Sequence, residues 1–253
     1  MGRVKRNEIN KLYIKYKEKR EKLERVYINR NIINSLRKIA IIVPYRDNLE
    51  QDRKSQLIKF KSHIKKFLDG HNYKLYIIEQ SQDGCKFNRG KLLNVGMEMA
   101  IKDGCEMLIT HDVDLLPQKD MLPYYLMHSD YPVHLGDRWK DKYSYSRFIG
   151  GVLSMSSVIA EKSNGYPNNF WGWGGEDDAL YNRLLTVTDK LYCPENGTYV
   201  ELKHVHTGEI KKYVNMQKKK NILSDLVYWK NHGLKNLKYK LISNNNDVYT
   251  VEI

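Results

Sequence analysis

Cysteine is scarce: Cys85, Cys105 and Cys193 are the only three in 253 residues. Three thiols cannot all pair internally, and these lack the spacing of a metal site. Buried free thiols in a reducing compartment are the expectation. Long apolar runs are missing as well. No stretch approaches the ~18 residues needed to span a bilayer. The basic stretch 1–37 has no apolar segment of the kind a secretory signal carries. The expected location is therefore the cytoplasm or the periphery of a membrane, unless an anchor lies outside this chain. Zinc-finger and RNA-binding signatures are absent too. The aromatic residues group with glycine and acids instead of with Lys and Arg, which sets nucleic acid aside as a partner.

Charge and tyrosine are present in excess. A net charge of +13 calls for an anionic counterpart, either an anionic membrane face or a phosphorylated ligand. Nineteen tyrosines suit a surface that handles polar rings such as sugars. The length fits a basic helical arm, residues 1–37, followed by one α/β domain, residues 38–253. In the arm, Ile9, Leu12, Tyr16, Leu23, Val26 and Ile33 fall near a heptad stripe that Lys19 and Arg30 interrupt. An amphipathic helix lying on its own domain is expected there, with a short coiled coil or a membrane-surface helix as alternatives.

The chain is organised around Phe170-Trp171-Gly172-Trp173-Gly174-Gly175-Glu176-Asp177-Asp178. Glycines cost helix and strand stability and let the backbone approach a ligand closely. Indoles offer flat apolar faces with one N–H donor each, suited to stacking on a sugar. Three adjacent carboxylates repel one another, a cost that a purely structural loop has little reason to carry. Ala179 to Leu185 reads as helical, so the acids lie at a helix N-terminus, where negative charge is stabilised.

Partners for that stretch precede and follow it. Ile39 to Val43 reads as a buried parallel strand ending in Pro44-Tyr45-Arg46-Asp47-Asn48, at the end of the strand where open α/β sheets place ligands. A helix over 51–68 and a strand over 73–78 follow. Phe87-Asn88-Arg89-Gly90-Lys91 opens another helix, whose N-terminus beside an Arg makes an anion site by geometry. Met107 to Thr110 is a strand running into Asp112-Val113-Asp114, two carboxylates that an extended backbone would aim at one spot, there either to bind a divalent cation or to repel each other. Phe148-Ile149-Gly150-Gly151-Val152 reads as a strand that glycines open to a ligand. His204-Val205-His206 repeats the alternate spacing with imidazoles. Alongside the Asp112/Asp114 pair they suit mixed imidazole and carboxylate ligation of a borderline cation such as Mn²⁺; the alternative is one or both histidines exposed in a strand. Lys211 to Lys220 reads as a basic loop, followed by a helix over 221–230 and two strands around Tyr239 and Val248.

These motifs, in this order, resemble the β-1,4-galactosyltransferase family (glycosyltransferase family 7). The resemblance runs from Ile39 to His206 and again at the C-terminus, leaving out the arm before Arg37. It implies a GT-A type nucleotide-sugar fold, α/β with a mostly parallel central sheet flanked by helices. It also implies a metal-dependent inverting transfer of galactose from UDP-galactose to the 4-hydroxyl of a GlcNAc or xylose acceptor. On this resemblance Pro44, Tyr45, Arg46, Phe87 and Arg89 hold the uridine end of the donor. Asp112 and Val113 border the donor sugar with Phe148, and Gly151 and Trp173 touch the diphosphate. Asp177 is the base, Glu176 and Trp173 assist it, and Gly174, Gly175 and Asp178 receive the acceptor. The metal ligands implied are Asp114, His204 and His206, with Mn²⁺ as the ion.

Three positions bear on how the family pattern is read here. Asn48 stands where a second Arg is usual, and Phe148 where a Tyr helps select galactose. Gly175 keeps the double glycine of the GlcNAc-using branch, whereas His-x-His resembles the branch that galactosylates xylose. Donor alternatives are UDP-GalNAc and UDP-GlcNAc. An inactive carbohydrate-binding relative is the reading from another class. A Golgi-lumen location follows if an anchor precedes this chain.

Overall fold

The computed structural model describes residues 22–28, 37–47, 49–142, 145–203, 205 and 209–253. Its centre is a six-stranded sheet of β2 (Ile39–Tyr45), β3 (Tyr73–Gln80), β4 (Met107–His111), β6 (Val152–Ser156), β9 (Lys240–Asn245) and β10 (Val248–Glu252), in the order β6-β4-β2-β3-β10-β9. The inner pairings β4-β2, β2-β3 and β3-β10 are parallel, and the outermost strands run antiparallel to their neighbours. The mostly parallel α/β sheet expected from the sequence is thus present.

Strand β2 is buried along its whole length, so both of its faces need an apolar partner. Ile39, Ile41 and Val43 pack on one side with Phe60 and Ile64. Those two belong to α1 (Arg53–Phe67). Ala40 and Ile42 face the other side with Leu92, Leu93 and Val95, from α2 (Arg89–Lys102). Two short helices, α3 (Leu122–Tyr125) and α4 (Ser157–Lys162), are followed by α5 (Glu176–Leu184) and α6 (Lys218–Tyr228). Two smaller ladders complete the fold. Strand β5 (Leu115–Pro117) pairs antiparallel with β8 (Tyr199–Glu201), and β1 (Glu24–Ile28) pairs parallel with β7 (Lys190–Pro194).

That last pairing corrects the helical reading of the arm at residues 24–28. Val26, Tyr27 and Ile28 are β-branched or aromatic, types that suit a pleated surface, and β7 supplies a ladder from Glu24↔Lys190 to Ile28↔Pro194. Positions 1–21 and 29–36 of the arm lie outside the described residues. Three further expectations change. Cys85 is exposed, while Cys105 and Cys193 are buried thiols outside any disulfide, as expected. Phe148 to Gly151 is not strand: Gly151 takes φ +77° and the strand begins at Val152. Lys211 to Lys220 is more ordered than a loop, with a helical turn at Lys211–Tyr213 and the start of α6 at Lys218.

A buried ion pair fixes α5 against the C-terminal region. Arg183 on α5 donates to both carboxylate oxygens of Asp225 on α6 at 3.0 and 2.6 Å. Its remaining N–H groups donate to the carbonyls of Asn164, Gly165 and His232. A buried guanidinium is tolerated only when so fully paired, and this one anchors the helix whose first turn carries the three acids.

Candidate active site

The loops after β2 and β4 and the first turns of α2 and α5 converge on one cavity of ≈ 530 Å³, within the range of small-ligand sites. Every expected donor and acceptor residue among the described ones lines it: Pro44, Tyr45, Arg46, Phe87, Arg89, Asp112, Val113, Phe148, Gly151 and Trp173, then Gly174, Gly175, Glu176, Asp177 and Asp178. Asp114 lines it too. His204 and His206 lie outside the described residues.

At the end nearer β2, the Arg46 guanidinium lies 5.8 Å from the Phe87 ring centroid and donates to the Cys85 carbonyl at 3.0 Å. Asp83 accepts a longer bond from it at 3.4 Å. A flat cation above an aromatic face is a surface on which a planar base can stack.

The centre belongs to Arg89, the first residue of α2. Asn88 caps that helix by accepting from the Lys91 amide at 3.0 Å, which sets the direction in which Arg89 leaves the backbone. Its Nε and Nη2 donate to Asp112 Oδ1 at 3.0 and 2.8 Å, and its Nη1 donates to Asp177 Oδ1 at 3.0 Å. Glu176 Oε1 lies 3.6 Å from the same Nη1. One guanidinium therefore spans the carboxylate at the end of β4 and the acids at the start of α5.

Three carboxylates around one cation leave a surplus of negative charge. Burial, followed by the Asp177 charge, raises Glu176 above the usual carboxylate range. Burial also raises Asp177; Arg89 pulls it down, and Asp112 and Asp178 push it further up. Glu176 is buried and its Oε2 has no hydrogen-bond partner among the described residues. Asp177 keeps about 23% of its side chain exposed to the cavity. Of the two raised acids, Asp177 is the one that a ligand can reach. The peptide at Gly150 lies against it: a Cβ added there would meet Asp177 Oδ2 at 2.8 Å and the Phe148 ring at 2.7 Å. The close backbone approach read from the glycine pair is thus, at Gly150, an approach to the acid.

The wall beyond Asp177 is built from the Trp–Gly loop. Trp173 is partly exposed to the cavity. Its backbone is held on both sides, its N–H donating to Tyr213 O at 2.7 Å and its carbonyl accepting from Asn215 N at 3.0 Å. Gly172 permits that pairing, since a Cβ there would come within 2.5 Å of Tyr213 O. Asp178 accepts from the Tyr145 hydroxyl at 3.4 Å and lies 3.5 Å from Lys218 Nζ. Tyr145 and Lys218 were not singled out from the sequence, because each reaches the site from a distant segment without a motif around it.

Asp112 and Asp114 do not share a direction as an extended backbone would require. The chain turns after Asp112, whose carbonyl accepts from Leu115 N at 3.4 Å. Asp112 faces Arg89, while Asp114 Oδ2 accepts from Arg53 Nη1 at 2.8 Å. Among the described residues no group of three or more His, Cys, Asp or Glu side chains could hold a metal ion. Asp114 nonetheless suits one. It is a hard oxygen donor, largely buried, in surroundings that already accommodate a positive charge.

The family described as the N-terminal region of glycosyl transferase group 7 matches residues 6–126. The one described as the N-terminal domain of galactosyltransferase matches residues 132–205. The match reaches back to residue 6, so the similarity includes most of the arm that the motifs had left outside it. A xylosylprotein 4-beta-galactosyltransferase of Caenorhabditis elegans is 36% identical over 191 residues, 72% of this chain and 63% of that protein. Human beta-1,4-galactosyltransferase 4 is 36% identical over 217 residues, 83% of this chain and 60% of that protein. The chain thus spans 60% and 63% of the length of these two curated relatives. A crystal structure of a mutant Drosophila β-1,4-galactosyltransferase 7 in complex with manganese, UDP-Gal and xylobiose superposes with a TM-score of 0.71. It is 29% identical, over 86% of this chain and 94% of that one. No helix among the described residues is long and apolar enough to cross a membrane. With both halves of the family pattern matched in order and its acids gathered in one cavity, this chain belongs to the β-1,4-galactosyltransferase family of glycosyl transferase group 7.

Proposed function

We propose that the protein transfers galactose from UDP-galactose to the 4-hydroxyl of an acceptor sugar, with inversion at the anomeric carbon. The observation that carries this reading is Arg89, which holds Asp112 and Asp177 at opposite ends of one guanidinium inside a single cavity. A donor sugar bordered by Asp112 and an acceptor hydroxyl approached by Asp177 are then within reach of one displacement.

The uracil packs against Phe87 and Arg46, at the carboxyl end of β2. Asp112, Val113, Phe148 and Gly151 border the galactose and diphosphate. Trp173 touches the diphosphate, and Asp178, with Gly174 and Gly175, fixes the acceptor hydroxyls. Asp177 accepts the proton of the attacking hydroxyl. Its raised proton affinity makes it a stronger base than a solvated carboxylate. Asp112 and Asp178 keep negative charge close and so maintain that affinity, with Glu176 buried beside it. Asp114, His204 and His206 would hold a divalent cation such as Mn²⁺, which would supply Lewis-acid stabilisation of the charge on the departing UDP. The acceptor belongs to the GlcNAc or xylose class. The xylosylprotein relative and the His-x-His pair favour xylose, and the double glycine at Gly174 and Gly175 favours GlcNAc.

A donor-by-acceptor matrix tests the proposal: UDP-Gal, UDP-GalNAc and UDP-GlcNAc against GlcNAc and xylosides, with and without Mn²⁺, read as UDP release. Release from UDP-Gal that requires one of these acceptors is the expected result. Glycan binding with no UDP release under any condition would identify a carbohydrate-binding relative without transferase activity.

A further inference from the structure

Acids are missing from one long stretch of the surface. Between Asn215 and Lys240 the chain carries seven lysines and a single carboxylate, Asp225, and that carboxylate is buried against Arg183. Lys219, Lys220, Lys230, Lys235, Lys238 and Lys240 are all exposed, and none of them is ion-paired among the described residues. Other lysines nearby do find acids, as Lys212 does at Glu50 and Lys218 at Asp178. A stretch left this positive calls for an anionic partner from outside the chain.

Helix α6 shows what kind. It buries only Asp225, so almost its whole length lies on the surface. Met216, just before it, is 84% exposed, and Val227 in its last turn is 38% exposed. Lys220, Leu223 and Val227 are three and four positions apart and therefore share a face. Lysines interleaved with apolar side chains along an exposed helix suit a membrane interface. The ammonium groups reach the headgroups, and the apolar side chains enter beneath them. An acidic polymer in solution would satisfy the lysines but offers nothing to an exposed thioether.

We propose that the outer face of α6, from Met216 through Lys219 and Lys220 to Val227, docks the protein on an anionic lipid bilayer. Lys218, at the start of the same helix, lines the cavity and lies 3.5 Å from Asp178. Docking therefore holds the acceptor end of the cavity within about a helical turn of the lipid surface, in reach of a sugar borne on the membrane. That consequence rests on the transferase reading above; the docking itself does not.

Co-sedimentation of the whole chain with vesicles of phosphatidylcholine, with and without phosphatidylglycerol, tests it with no donor and no turnover. The chain should bind the anionic vesicles and not the neutral ones. Replacing Lys219 and Lys220 together by Gln should weaken that binding by about thirtyfold, the effect of two lysines at an anionic surface. The same replacement at Lys65 and Lys66, exposed on α1, removes equal charge from another helix and should change little. Met216→Ser should weaken vesicle binding by about tenfold, the scale of one apolar side chain leaving water, and leave binding to heparin, a soluble polyanion, unchanged. Failure to bind anionic vesicles, or equal losses from the α1 and α6 pairs, would overturn the proposal. So would a Met216→Ser chain that binds vesicles as well as the wild type does, which would mark the face as one for soluble polyanions. A chain that docks yet releases no UDP with any donor and acceptor keeps the docking and removes the transferase reading.

Discussion

Asp177→Asn separates the chemistry from the fold. The amide is nearly isosteric and its Oδ1 can still accept from Arg89 Nη1, now at 3.0 Å from the carboxylate. Arg89 also keeps both bonds to Asp112. One charge-assisted bond becomes an ordinary one, a loss of about 1 kcal/mol. Against it stands the relief of a charge that burial disfavours and that Asp112 and Asp178 repel. Because the folded protein holds Asp177 above its ordinary range, this acid's contribution to stability is fully present at low pH. It is lost as the pH rises through the folded value. At neutral pH the variant should therefore melt within about 4 °C of the wild type, since about 1 kcal/mol corresponds to roughly 2–4 °C in a chain of this size. UDP binding should be unchanged. Transfer should fall by about 10²–10⁴-fold, the range for a lost general base. In the wild type, kcat/KM should decline as the pH drops through the raised value of Asp177, and the residual activity of the variant should lack that limb. Melting curves, calorimetry with UDP and a pH series of UDP release supply all four readings. Turnover within tenfold of the wild type would refute Asp177 as the base.

Trp173→Ala should weaken both UDP binding and transfer at least tenfold, since the indole lines the cavity at the place assigned to the diphosphate; unchanged UDP affinity would contradict that assignment. Arg25→Ala probes the strand that replaced part of the expected helix. Arg25 pairs with the buried Asp137 at 2.6 Å and donates to Phe148 O at 2.7 Å. Removing it should cost about 3–5 kcal/mol in urea unfolding and weaken donor binding through Phe148; full stability would show the pair to be dispensable. Gly96→Ala adds a Cβ that would clash with Ile42 Cγ2, where α2 crosses β2. It should lower stability by about 1–3 kcal/mol as over-packing does, and a neutral result would mean that the helix shifts freely on the sheet.

The sheet was legible in the sequence because its strands are short apolar runs, such as Ile39 to Val43, that end in polar turns. The cavity was legible for a related reason: glycines, indoles and carboxylates packed as densely as in residues 170–178 serve no structural need. What escaped were pairings between distant segments. Arg53 and Asp114 are 61 positions apart, and Arg183 and Asp225 are 42 apart. No local pattern marks either pair. The heptad stripe through Val26 was misleading because apolar spacing reports a periodicity but not the free edge of β7 that captures residues 24–28. The alternation argument for Asp112 and Asp114 failed because the backbone turns there, and each carboxylate is held by its own arginine.

The central claim is a single displacement at the anomeric carbon, driven by a base across the cavity from the donor. Proton NMR of the disaccharide made from UDP-α-galactose tests it most directly. The account predicts a β-linked product, with the large anomeric coupling of a diaxial pair and the new bond at the acceptor 4-position. An α-linked product would mean retention of configuration and would contradict it.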